Sequence, residues 1–112
     1  MQPESRKLLE DMREAAEKIT RFAGGKTIDQ YRDDEQLRWS VERGFEIVGE
    51  ALSQLRKINP VMAERITGWQ AIIGFRNVLI HGCSAIDHKK TWDIVQTELP
   101  VLHLELDELL KE

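Results

Sequence analysis

Cysteine is nearly missing from this sequence. Cys83 stands alone, so no intrachain disulfide can form and no zinc site can be built from several thiolates. Proline and glycine are scarce, at three and seven residues, which leaves too little punctuation for a fold of many short strands. Positive charge is not in excess. Sixteen Lys and Arg face 20 Asp and Glu, a formal charge of −4, which argues against a globally basic protein that wraps nucleic acid by neutralising many phosphates. Long hydrophobic runs are absent as well. The opening MQPESRKLLEDM has no apolar stretch of signal-peptide length and charges interrupt every later one, so no membrane segment and a cytoplasmic location are expected.

What is present is a chain of 112 residues, 41% apolar and 32% charged, a balance that goes with a folded rather than a disordered state. It is near the usual size of one domain, and no repeat, low-complexity tract or linker divides it, so a single domain over residues 1–112 is expected. Four stretches carry a helical period. Leu8, Met12, Ala15, Ile19 and Phe22 form the first, closed by Gly24-Gly25. Leu37, Val41, Phe45, Val48, Leu52 and Leu55 form the second, with Asp33 and Gln36 spaced as an N-cap pair and Asn59-Pro60 at its end. The third starts at Thr67 and Gln70, spaced as a capping box, carries Ile72, Ile73, Phe75, Val78, Leu79 and Ile80 as core, and ends near Gly82. The fourth follows Asp87 with Trp92, Val95, Leu99, Leu102, Leu106 and Leu109; Pro100 predicts a kink or break within it. A short helical turn fits 61–66. His103 reads as a surface or boundary residue beside the last stripe. Long helices joined by short loops favour an antiparallel bundle, an all-α fold.

Charge is uneven along the chain. Residues 1–68 hold 12 basic and 13 acidic groups, residues 69–90 hold Arg76, Lys89 and Lys90 against Asp87, and residues 91–112 hold Lys111 against six acids. The net values are −1, +2 and −5, and the one basic segment contains two of the three histidines, His81 and His88. Lys89 and Lys90 fall near a helix start, where the positive end of the helix dipole disfavours them. An anion held there would relieve that conflict, which makes the pair candidate substrate-binding residues; the plain alternative is two solvated lysines.

Arg76, Asn77 and His81 interrupt the apolar run of the third helix, a costly placement unless each has a partner or a task. Asn77 and His81, four apart, share a helix face, and Arg76 lies on the adjoining one. A histidine can act as general base, an arginine can hold a phosphate, and an asparagine can orient either. The set suits metal-independent RNA cleavage. A base takes the proton of the ribose 2′-OH, the oxygen attacks phosphorus, and a cation stabilises the added charge. One copy lacks a general acid for the leaving oxygen; a twofold dimer would bring a second His and Arg into one cleft. The competing structural reading pairs Arg76 and Asn77 with Glu42, Glu46 or Glu50 of the second helix and leaves His81 to cap a helix end. Spacing alone does not choose between the two.

Arg76-Asn77-Val78-Leu79-Ile80-His81 resembles the Arg-x4-His motif of HEPN-domain ribonucleases. Val41 to Ala51, reading VERGFEIVGEA, is similar to the second-helix signature of the HepT-like branch. Trp69 to Gly74 resembles the stretch leading into its active helix, and Thr91 to Val95 with Leu99-Pro100 resembles its closing helix. Nearly the whole chain is covered, in the family's order. The resemblance implies a HEPN-type antiparallel bundle of four to five helices. It implies a homodimer whose motifs face each other, and a toxin-like endoribonuclease that needs no metal or cofactor. It also implies a cognate minimal nucleotidyltransferase antitoxin as partner. Arg76 and His81 would be the catalytic pair, with Asn77 in support.

One position departs from the pattern. The HepT-like motif usually continues His-x-Tyr, and the partner can transfer AMP to that tyrosine, whereas here His81-Gly82 is followed by Cys83. A thiol is a poor substitute for a phenol in a stable nucleotidyl ester, so this regulatory position implies inhibition by partner binding alone or modification elsewhere. Tyr31 is the only tyrosine. The rival to the ribonuclease reading is a non-catalytic helical binding subunit of a two-protein nucleotidyltransferase complex.

Overall fold

The computed structural model describes residues 1–82 and 86–112. Its helices are α1 (Pro3–Ala23), α2 (Ile28–Asp33), α3 (Glu35–Ile58), α4 (Pro60–Ala63), α5 (Trp69–His81), α6 (His88–Thr97) and α7 (Leu99–Leu110), with no strand among the described residues. Five long helices and two short ones thus make an all-α bundle. No helix among the described residues is long and apolar enough to cross a membrane.

The helix ends follow from local chemistry, not always at the expected residue. Helix α2 is too short to show a period and begins at a capping box. The Gln30 N–H donates to Thr27 Oγ1 at 3.2 Å and the Thr27 N–H donates to Gln30 Oε1 at 2.8 Å. Because α2 extends through Asp33, that residue is helical, and the cap of α3 falls to Asp34, whose Oδ1 accepts the Leu37 N–H at 3.0 Å. The expected Thr67–Gln70 capping box does not form. Thr67 instead donates through its N–H at 3.0 Å and its hydroxyl at 2.6 Å to Glu105 of α7. Gly68, at φ 72°, takes the N-cap position of α5, a conformation that suits a residue without Cβ. Pro60 and Pro100 both sit in a first helical turn, where a missing N–H costs nothing. Pro100 therefore starts α7 after the expected break, and α4 begins one residue before the expected turn.

The second and fourth stripes are buried as predicted, from Leu37 to Leu55 and from Trp92 to Leu109. The first is shifted at both ends: Leu9 rather than the half-buried Leu8 is fully buried, Phe22 is exposed, and Ala23 faces the core with Met12, Ala15, Ala16 and Ile19. The third departs most. Of its apolar residues only Leu79 is buried, while Val78 is 41% and Ile80 44% exposed. Helix α3 explains this difference. It is the central element, packed against α1, α2, α4 and α5, whereas α5 has α3 as its principal neighbour and keeps an open outer face.

Two glycines let α3 sit so close to its neighbours. A Cβ on Gly44 would lie 2.5 Å from Ile19 Cγ1 and 2.7 Å from Cδ1, and Ile19 is completely buried. A Cβ on Gly49 would overlap Arg76 Cβ and lie 2.9 Å from its Cγ. At the other end of α3, Tyr31 is wholly buried against Trp92, with ring centroids 5.2 Å apart, and against the His88 ring at 6.3 Å. Burial there raises the Tyr31 hydroxyl and the Glu42 carboxyl above their ordinary pKa values. For Glu42, His88 and Arg38 oppose the shift without cancelling it.

Gly44→Ala and Gly49→Ala should each lower stability. Overpacking costs about 1–3 kcal/mol, more than the roughly 1 kcal/mol that alanine gains over glycine inside a helix. Thermal or urea unfolding measures this; variants as stable as wild type would show that the helices can separate freely. A carboxyl with a raised folded-state pKa contributes stability below its unfolded value and loses it as pH rises through the folded value. Glu42→Gln should therefore raise the melting temperature at pH 7, with the gain vanishing below about pH 4.5. An equal gain at both pH values would show that the charge of Glu42 is not the cause.

Candidate active site

Helix α5 carries Arg76, Asn77 and His81 within its last two turns. The stem of Arg76 lies in the notch left by Gly49 of α3, which sets the direction of the guanidinium. Arg76 Nη2 donates to Glu50 Oε2 at 2.5 Å, and Nη1 donates to Asn77 Oδ1 at 2.7 Å. Nε is buried and has no hydrogen-bond partner. The arginine side chain is only 18% exposed, whereas Glu50 is 51% exposed. The carboxyl of Glu50 is held below its ordinary pKa by the hydrogen bond from Gln54 and by Arg76. The guanidinium is therefore fixed at its root and held at its tip by a carboxylate that faces water.

His81 is the last residue of α5 and is exposed. It is one turn beyond Asn77 on the same face, whereas five residues of helix place it about 7.5 Å along the axis and well round the helix from Arg76. Arg76 and Asn77 are thus brought together within one chain, while His81 stands apart at the helix end. The side chains flanking it, Val78 and Ile80, are the exposed apolar ones.

Lys89 and Lys90 are exposed in the first turn of α6. Lys89 Nζ lies 2.9 Å from Asp93, and the Lys90 N–H donates to Asp87 Oδ1 at 3.1 Å. The carboxylate of Asp87 at the N-cap meets the conflict with the helix dipole that would otherwise call for a bound anion. Cys83 lies outside the described residues. Tyr31, with no exposed surface, cannot take a nucleotidyl group in the folded chain. His103 is half-buried, 3.4 Å from Asp107, as expected of a boundary residue. No group of three or more His, Cys, Asp or Glu among the described residues is arranged to hold a metal ion.

The residue that composition and spacing pass over is Gly49. A glycine inside an apolar helical pattern marks a close approach, and that is the available signal. Glu50 was one of three glutamates in line; its choice over Glu42 and Glu46 follows from lying beside the notch, which no count of residues shows.

Comparison with known proteins identifies the family. The family model for "Ribonuclease HepT-like" matches residues 12–109. "Putative RNase MJ1380" of Methanocaldococcus jannaschii is 31% identical over 101 residues, covering 88% of this chain and 90% of that protein. "Probable ribonuclease HepT" of Thermococcus cleftensis is 27% identical over 107 residues, covering 92% and 93%. "Putative RNase TTE0752" of Caldanaerobacter subterraneus is 26% identical over 107 residues, covering 96% and 95%. No solved structure matches the chain. An all-helical bundle, an Arg-x4-His helix seated on a glycine notch and a family match over nearly the whole length lead to one assignment: the chain belongs to the HepT-like ribonuclease family.

Proposed function

We propose that this protein is a metal-independent endoribonuclease toxin, paired with a minimal nucleotidyltransferase antitoxin, that cuts RNA through a composite site at a homodimer interface. The observation that carries the proposal is the makeup of α5. It combines a root-fixed Arg76, an exposed His81 and uncovered Val78 and Ile80 on one helix at the edge of the bundle. A second copy docked on that face would cover the apolar side chains and bring two histidines and two arginines into one cleft.

In such a cleft His81 removes the proton from the ribose 2′-OH. The 2′ oxygen bonds to phosphorus, the bond from phosphorus to the 5′ oxygen breaks, and the partner's His81 protonates that oxygen. The products are a 2′,3′-cyclic phosphate and a 5′-hydroxyl. Arg76 stabilises the extra negative charge on the phosphoryl oxygens. Its link to a half-exposed Glu50 favours this role, since a phosphate can replace Glu50 without uncovering a deeply buried acid. Asn77 keeps the guanidinium oriented through its 2.7 Å bond. Lys89 and Lys90 add positive charge for the RNA backbone, Lys89 by exchanging Asp93 for phosphate. With Tyr31 buried and cysteine at position 83, the antitoxin silences this member by binding to it rather than by modifying a tyrosine.

The second reading, a non-catalytic binding subunit, draws on the Arg76–Glu50 pair, because it accounts for the arginine by structure alone. Growth separates the two. Expression of the chain without its partner should arrest growth, and Arg76→Ala, His81→Ala and the dimer-breaking Ile80→Glu should each relieve the arrest, the last by making the protein monomeric in sedimentation. Arrest that survives all three substitutions, with the proteins folded, would contradict the proposal.

A further inference from the structure

Beside the site, α3 and the start of α5 border an open surface cleft of about 320 Å³ lined by Ser53, Arg56, Lys57, Trp69, Gln70 and Ile73. Its volume falls at the lower end of the roughly 300–1,000 Å³ typical of ligand clefts. The Arg56 guanidinium lies over the Trp69 ring, 4.3 Å from its centroid. Arg56 is also 3.5 Å from Glu64, so a carboxylate tethers the cation from the outside while the indole supports it from beneath. Lys57 and Gln70 are exposed at the rim, and Trp69 is half-buried. The positive charge of Lys57 reaches Glu50, the partner of Arg76, and helps hold its carboxyl ionised. The cleft and the Arg76 site are contiguous: Ser53 is one turn beyond Gly49 on α3 and Ile73 one turn before Arg76 on α5, a step of about 5 Å along either helix.

We infer that this cleft is an RNA subsite next to the cleavage site, in which an unpaired base stacks on the Arg56–Trp69 pair and Lys57 contacts the adjoining phosphate. Aromatic rings and guanidinium planes are the two surfaces on which splayed bases stack, and single-stranded RNA is gripped by stacking together with positive charge along its backbone. The cleft supplies both in a protein whose net charge is −4, so the basic groups act locally. Gln70 at the rim can donate to and accept from a base edge. The inference rests on the ribonuclease reading and deepens it by placing the strand along the α3–α5 groove.

The test measures binding of a single-stranded 2′-O-methyl decamer, which lacks the attacking hydroxyl, by fluorescence anisotropy to the full-length protein. Cleavage of the matching all-ribose decamer is followed in parallel, with kcat and KM measured separately. Trp69→Ala should weaken decamer binding about 5- to 100-fold, as loss of a stacked base does, while Trp69→Phe keeps it within about threefold. Lys57→Gln should lower the slope of log K against log salt by about 0.7, the value for one single-strand phosphate. For the all-ribose decamer, Trp69→Ala should raise KM more than it lowers kcat, as expected for loss of a binding contact. If Trp69→Ala fails to fold by circular dichroism, Lys57→Gln carries the comparison. Wild type that cleaves, with folded Trp69→Ala and Lys57→Gln that bind the decamer with the affinity and salt slope of wild type, would overturn the subsite and leave the ribonuclease reading intact. Wild type that binds through Trp69 but cleaves nothing would uphold the subsite and remove the nuclease. Wild type that neither binds nor cleaves would overturn both. Variants that keep RNA affinity but lose the nucleotidyltransferase partner would assign the cleft to protein docking and also overturn the inference.

Discussion

The contact on which the site depends is the seating of Arg76 against Gly49. Only a residue without a side chain lets the backbone of α3 accept the Cβ and Cγ of an arginine from the neighbouring helix. From that one approach follow the spacing of α3 and α5, the direction of the guanidinium and the selection of Glu50 as its partner. The arginine is thus fixed at its root by the notch and held at its tip by a carboxylate that faces water. Preorganised charge is the efficient way to stabilise a transition state, because no reorientation is needed when the charge develops.

The rest of the bundle holds α3 in place for that contact. Gly44 seats α3 on Ile19 of α1, α7 closes the other side of α1, and Glu105 of α7 reaches across to Thr67 to fix the approach to α5. By taking Thr67, Glu105 removes the residue that would have capped α5 and leaves the turn to Gly68. The chain therefore gives up a local cap for a long-range tie. The core is built on α1, α3, α6 and α7, and α5 is left to present chemistry.

That division explains what could be read from residues alone. The stripes of α3, α6 and α7 are legible because each faces one core, and burial enforces the helical period. Helix α5 defeats the same reasoning: its apolar residues surround the axis, and nothing in their order says that Val78 and Ile80 face outward while Leu79 faces in. Helix α2 is invisible to periodicity at six residues, although its Thr27–Gln30 capping box is present in the sequence. Arg76, Asn77 and His81 stand out as polar interruptions of an apolar run, and the flanking segments that resemble the HepT-like pattern made that interruption specific. The Gly49–Arg76 notch and the Arg56–Trp69 stack each join residues of two different helices, 27 and 13 positions apart, and only the packing reveals them.

Arg56, Lys57 and Arg76 lie along the groove between α3 and α5, Arg56 beside Glu64 and Arg76 beside Glu50. Whether that groove is an active site turns on His81. The most direct measurement is cleavage of RNA in EDTA by the wild-type protein and by His81→Ala, both checked for fold and dimerisation, with analysis of the new ends. The account predicts cleavage by wild type that leaves 2′,3′-cyclic phosphate ends, slowed on the order of 10²–10⁴-fold in the variant, as for loss of an acid–base group. Equal cleavage by a folded His81→Ala, or none by wild type across several RNAs, would contradict it.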